Sequence, residues 1–229
     1  MKILAVGAHP DDLEICCFGT LARCVERLDE VTVCSVTNGN LGHSSMGKDQ
    51  LREVRLAEAK KSAALIGASF CTLDVDDLSL DSRGEEVRSK MVNLLRSVEP
   101  DIVITHCEED YHSDHVETAR LVWHSLLMAP LGEENPLKGD VILYEMDLVG
   151  GGVFIPTEFV DITTTMEKKM EALALHQSQI GFFMESAGRD LLRDVDVLAQ
   201  YRGLQCGCRY AEGFRLSMRR PCIAQRLLP

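Results

Sequence analysis

Short apolar, β-branched runs alternate with stretches of helical periodicity along this 229-residue chain, and that alternation narrows the folds open to it. Ile3–Val6, Val31–Thr37, Phe70–Val75, Asp101–Thr105 and Val141–Tyr144 read as buried strands. Between them, Leu13, Cys16, Cys17, Leu21, Cys24, Val25 and Leu28 recur at helical spacing. Lys48–Ile66 reads as a long helix stopped by Gly67, Glu85–Val98 as one ended by Pro100, and Asp114–Leu127 as another. Strands alternating with helices imply right-handed crossovers and a mainly parallel sheet. Further on, Gly150–Gly152 marks a break, Phe159–Ile162 an extended piece and Thr163–His176 a helix. The stretch 181–229 is less regular, with a helix expected over Asp190–Arg202 and a strand over Tyr210–Leu216. No repeat, low-complexity tract or linker interrupts the pattern. The expectation is one α/β domain over 1–229, Rossmann-like, its sheet flanked by helices.

In such sheets ligands sit beyond the carboxyl ends of the strands. The first strand ends in Gly7-Ala8 and delivers His9, Asp11 and Asp12 there. An imidazole and a carboxylate are zinc-type ligands, and a second carboxylate remains to act as a base. An Asp-rich helix cap beside an ordinary turn histidine is the plainer alternative. The fourth strand delivers a second cluster, Tyr111-His112-Ser113-Asp114-His115, at a helix entry. There Asp114 is placed to cap the helix or to turn toward an imidazole and fix its tautomer. If the first and fourth strands are neighbours, His9, Asp12 and His115 give three protein ligands with an open position, the arrangement of a catalytic zinc. A His/Asp/His site also suits ferrous iron.

A formal net charge of −12 argues against a nucleic-acid-binding surface. Nine cysteines, several in apolar patterns, point to a reducing compartment. Cys206 and Cys208 read as structural, since no second pair lies nearby to complete a four-cysteine site. The opening residues lack a basic, apolar leader, and no run of about 18 apolar residues is present to span a membrane. A cytoplasmic protein is expected.

These motifs resemble the PIG-L/LmbE family of metal-dependent N-acetyl-sugar deacetylases. The family's A-H-P-D-D-x-E signature stands here as Ala8-His9-Pro10-Asp11-Asp12-Leu13-Glu14, and its H-P-D-H signature as His112-Ser113-Asp114-His115. Weaker agreement follows at Thr37-Asn38-Gly39, Arg55 with Glu58, Lys169 through His176 to Gln179, and Tyr210–Arg215. Carried over, the resemblance implies one zinc ion held by His9, Asp12 and His115. It makes Asp11 the general base and His112 the acid or oxyanion stabiliser, with Asp114 orienting His112. The implied reaction hydrolyses the N-acetyl group of an N-acetylglucosamine-type sugar, a small-molecule partner. A homo-oligomer is left open.

Two departures stand out: Ser113 replaces the usual proline, and Cys17-Phe18-Gly19 replaces a glycine pair, so that Phe18 either packs behind the first helix or walls the pocket. Arg55, Asp77 and His43 are candidates for contacts to sugar hydroxyls, although an Arg55–Glu58 salt bridge would explain Arg55 equally well. Glu14 reads as an orienting carboxylate, His106 as buried support, His176 and Gln179 as ending a helix that caps the pocket, and Trp123 as core or interface. Rival readings are a metal-dependent hydrolase of another amide or ester class and a metal-binding protein without catalysis. A nucleotide-binding module is disfavoured by Pro10, which sits where a phosphate-cradling amide is needed.

Overall fold

The computed structural model describes residues 1–132, 135–148 and 153–219. In chain order the elements are β1 (Lys2–Gly7), α1 (Asp12–Cys16), α2 (Phe18–Glu26), β2 (Glu30–Thr37), α3 (Lys48–Leu65), β3 (Ser69–Val75), α4 (Glu85–Val98) and β4 (Ile102–Thr105). There follow α5 (Ser113–Met128), β5 (Ile142–Met146), β6 (Glu158–Asp161), α6 (Met166–Ala174), α7 (Gln177–Ala187), α8 (Leu191–Cys206) and β7 (Ala211–Leu216). All seven strands share one sheet, ordered β3-β2-β1-β4-β5-β7-β6. Strands β1 to β5 pair in parallel, and β7 runs antiparallel to both β5 and β6.

Strand β1 is central, and its alternation divides the core. Ile3 and Ala5 join Leu13, Phe18, Leu21, Ile104 and Phe214 on one face. Leu4 and Val6 join Val36, Met91, Leu95, Val103 and Leu121 on the other. Each such Leu or Ile contributes about 1.5–3 kcal/mol on burial. Because β1 lies between β2 and β4, the strand order reverses there and a crevice opens at the carboxyl edge. The edge is stitched by Thr37, whose N–H and Oγ1 donate to the Ala8 carbonyl at 2.7 and 2.9 Å, and by Thr105 Oγ1, which donates to Val6 O at 2.9 Å.

The expected parallel α/β domain is present, with three differences of detail. The single helix expected from Leu13 onward is broken at Cys17, where φ is −144° and ψ 9°. The cause is Glu212 on β7: its buried carboxylate accepts from the amides of Gly19 (3.0 Å) and Thr20 (2.7 Å) and from Lys169 Nζ (2.5 Å). A carboxylate at the positive end of α2 starts a new helix there. Gly19 is required by close approach, since a Cβ would stand 2.8 Å from Ile162. Phe18 packs in the core beneath it.

The second difference is that residues 181–219, expected to be less regular, are mostly helix and strand. Helix α7 escaped the sequence reading because its fully buried residues, Ser178 and Gln179, are polar, and only Ile180 and Phe183 pack, partly buried, against Leu173, Leu191 and Val195. The third is that α8 runs on to Cys206, beyond the Arg202 expected. The break expected at Gly150–Gly152 and the end of the chain beyond Arg219 lie outside the described residues. Among those described, no helix is long and apolar enough to cross a membrane.

Candidate metal centre and active site

Two loops meet over the β1/β4 crevice. The first turns directly from β1 into α1, and the His9 amide donates to Asp12 Oδ2 at 2.6 Å. The second leads from β4 into α5, whose N-cap is His112. His115 Nε2 lies 3.3 Å from His9 Nδ1 and 3.3 Å from Asp12 Oδ1, and His9 Nδ1 lies 3.4 Å from Asp12 Oδ2. Ligands bound at about 2.0–2.1 Å around a tetrahedral centre stand about 3.3–3.4 Å apart. The pairwise approaches are near that spacing, with His115 meeting Oδ1 of Asp12 and His9 meeting Oδ2.

Each imidazole has its other nitrogen held by a carboxylate, the support metal-binding histidines usually have. Asp110 Oδ2 is 2.8 Å from His115 Nδ1, and Asp114 Oδ2 is 3.2 Å from His9 Nε2. Asp110 is a residue the sequence reading missed; its place just before the second motif was the available signal. Asp114 turns its side chain to His9 and not, as expected, to His112. It meets His112 only through its backbone, whose N–H donates to His112 Nδ1 at 3.2 Å. His106 is buried support, as expected, its Nε2 accepting from the Ala8 amide at 2.9 Å. That atom also completes a second triad with Asp12 and His115, beside the triad of His9, His112 and His115.

Electrostatics concentrate positive charge at the same point. Burial works to lower His9, but the Asp12 charge and the bonds from Asp114 and Asp12 raise it to about 9. Burial also opposes His115, which Asp12 and Asp110 lift to about 10. For Asp12, burial is outweighed by His115, His9 and His106, and its carboxyl sits well below the usual range. Burial pushes His106 down to about 4. His112 is also lowered, by burial and then by His9 and His115, so its neutral ring keeps the proton on Nε2.

Asp11 lies beside this cluster, 4% exposed, and accepts from Arg55 Nη2 at 2.6 Å. Arg55 is anchored in turn: its Nη1 donates to Gly39 O (3.3 Å) and Leu41 O (3.4 Å) and lies 3.8 Å from Asp77. Gly39, at φ +73°, lets the loop pass this close, for a Cβ would stand 2.6 Å from the guanidinium. The Arg55–Glu58 salt bridge is not formed: Arg55 bonds to Asp11 and the loop, while Glu58 binds Ser178, and Arg55 lines the cavity in which a contact to a sugar hydroxyl was expected. Asp77 is likewise engaged, accepting from the amides of Gly39 (2.9 Å) and Leu41 (3.0 Å). His43 stands outside the cavity wall, its Nδ1 accepting from Ser45 and Met46. Glu14 is buried, bonded to Ser62 and 3.4 Å from His176.

Above these groups is a cavity of about 280 Å³. Its lining joins a polar group at the sheet edge (the floor), His9, Asp11, Asp12, His112 and Arg55, to an apolar group of Leu78, Tyr111, Leu148, Phe182 and Phe183, of which Leu78 and Tyr111 are well exposed (the mouth). Gln179 holds α7 over the cavity, its Nε2 donating to Gly42 O at 3.3 Å. The helix-capped pocket expected from His176 and Gln179 is thus built by α7, and its aromatic wall was not anticipated.

Fold and site together define a parallel α/β domain with a His/Asp cation-binding cluster at the carboxyl edge of its sheet. Residues 4–126 match the family model "PIG-L: GlcNAc-PI de-N-acetylase", and the chain belongs to that family. It is 30% identical over 225 residues to the diacetylchitobiose deacetylase of Thermococcus kodakarensis, covering 93% of this chain and 82% of that protein. The structure of N,N'-diacetylchitobiose deacetylase from Pyrococcus horikoshii superposes with a TM-score of 0.82 at 28% identity, covering 94% of this chain and 83% of that one. The 4-carboxy-2-hydroxymuconate hydratase GalB of Pseudomonas putida superposes with a TM-score of 0.86 at 23% identity, covering 99% of this chain and 100% of that one, a likeness of fold.

Proposed function

We propose that this protein is a metal-dependent N-deacetylase that releases acetate from an N-acetylglucosamine-type amino sugar or conjugate. The observation that carries the reading is the convergence of His9, Asp12 and His115, each within 3.4 Å of the other two, in a cluster of metal-ligand side chains, with Asp11 and His112 lining the same cavity. The resemblance to diacetylchitobiose deacetylases supplies the substrate class.

His9, Asp12 and His115 would hold zinc or ferrous iron, which when bound supplies Lewis-acid activation of water and of the amide carbonyl. Asp11, held in place by Arg55, takes the proton of the attacking water. The neutral His112 donates its Nε2–H to the oxygen on which negative charge develops, an oxyanion-hole role that needs no imidazolium. Asp11 then returns the proton to the departing nitrogen, giving acetate and a free amine. Asp110 and Asp114 keep the His115 and His9 rings in register.

Acetate release from diacetylchitobiose, followed with and without a chelator, tests the reading. Activity should vanish on metal removal and return on adding zinc or ferrous iron; turnover that survives thorough chelation would exclude the mechanism. Asp11→Asn should keep its metal and lose roughly 10²–10⁴-fold in kcat. Loss of metal from that variant would mean that the two aspartates have exchanged roles.

A further inference from the structure

Leu78 is 64% exposed at the cavity mouth, and its φ of 59° lies in the left-handed region that favours glycine. Neither burial nor backbone preference accounts for a leucine there. Its backbone is fixed to the site: Asp114 Oδ2 accepts from the Leu78 amide at 2.8 Å while lying 3.2 Å from His9 Nε2. Leu28 provides a contrast, with φ 68° and 91% exposure just past the end of α2, away from this cavity. A strained, exposed leucine is thus not informative by itself; one clamped beside a reactive site and lining its cavity is.

The surroundings of Leu78 share its character. Tyr111 is 61% exposed at the same mouth, and Phe182 on α7 lies over Gly42. Of the polar groups nearby, Arg55 is held by Asp11 and Asp77 by loop amides, while Arg189, 43% exposed on the cavity lining, pairs with Asp194 at 2.7 Å. A cavity of about 280 Å³ is at the small end for ligand sites, which suits a single sugar ring on the floor. Whatever is attached to that ring meets the apolar mouth. We propose that Leu78, Tyr111 and Phe182 form an apolar collar that selects N-acetylglucosaminides carrying an aryl or alkyl aglycone over the free sugar and polyol conjugates. The inference rests on the deacetylase reading for the identity of the ring.

The experiment compares phenyl N-acetyl-β-glucosaminide, N-acetylglucosamine and diacetylchitobiose, by kcat/KM and by calorimetric Kd. The phenyl glycoside should exceed the free sugar about tenfold, mostly through KM, as burial of a few apolar groups predicts. Leu78→Gly should lose most of that advantage while its melting temperature holds or rises, because glycine relaxes the backbone; a structural role would lower it. Leu28→Gly, the control, should match the stability change and leave the kinetics as in the wild type. Tyr111→Ala gives a second route should Leu78→Gly fail to fold. An unchanged aryl preference in both variants, or equal kcat/KM on diacetylchitobiose, overturns the collar. If no acetate is released from any sugar, the deacetylase reading fails and the Kd ratios decide the collar: aryl preference lost in Leu78→Gly sustains it, and equal Kd values overturn it.

Discussion

The floor and the mouth of the cavity are built on opposite principles. On the floor each charged group used in the proposed chemistry faces a partner: Asp11 with Arg55, His115 with Asp110, His9 with Asp114. His9 and Asp11 follow the end of β1 and Asp114 and His115 lie in the first turn of α5, positions fixed by the central sheet, while Arg55 reaches in from the interior of α3 and Asp110 from the loop after β4. At the mouth the side chains are mainly apolar, partly exposed and carried by α7, by the turn after β3 and, for Tyr111, by the loop between β4 and α5. The difference teaches where specificity can vary without disturbing the reaction. Charges on the floor are preorganised and interdependent, whereas the collar makes contacts that are weak and separable.

The largest effect should follow from breaking a floor pair. In Arg55→Gln, Asp11 is left buried with no cation beside it, since both side chains are about 5% exposed or less. Removing one member of a buried pair typically costs about 3–5 kcal/mol. Urea denaturation should show that loss, and kcat should fall with it; a stability within about 0.5 kcal/mol of wild type would show that Arg55 is not holding Asp11.

A second effect concerns protons and is confined to the floor. At pH 7 the metal-free protein carries protons on His9 and His115, raised to about 9 and about 10. Binding a divalent ion should therefore release about two protons, measurable by calorimetry in buffers of different ionisation enthalpy. The same shifts set the stability of the metal-free form. Both folded values lie above the unfolded 6.5, so their stabilisation is complete below about pH 6.5 and is lost as pH rises through 9 and 10. The metal-free melting temperature should decline across that window. Excess zinc should abolish the decline; a flat profile without metal would contradict the assigned charges.

How much of this was legible in the sequence follows the same division. The floor was readable because strand ends and a short motif place His9, Asp11 and Asp12 with little freedom, and the reversal of strand order brings β4 beside β1. Partner choice was less readable. Asp114 was expected on His112 and went to His9, because α5 leaves its amide, not its carboxylate, facing the His112 ring. Arg55 has two acidic neighbours in space that are remote in sequence, so local spacing favoured Glu58. Helix α7 was invisible to hydrophobic periodicity for a physical reason. It buries Ser178 against Glu58 and Gln179 against the loop, and turns its phenylalanines to the cavity.

That inversion of α7 yields the smallest expected effect. The helix is anchored by Ser178 and Gln179 and by Ile180 and Phe183 against Leu173, Leu191 and Val195, so Phe182→Ala should leave its backbone in place and shift the melting temperature by about one degree or less, well under what burial in a core would give. A side chain that touches only the attached group contributes equally to ground state and transition state, and its loss appears in KM. A rise of about threefold in KM for the phenyl glycoside is expected, against roughly tenfold for Leu78→Gly, since Phe182 retains a neighbour in Phe183 that can cover part of the gap. If Phe182→Ala instead lowered kcat while sparing KM, the wall would be acting on the reacting groups, and the division between floor and mouth would not hold.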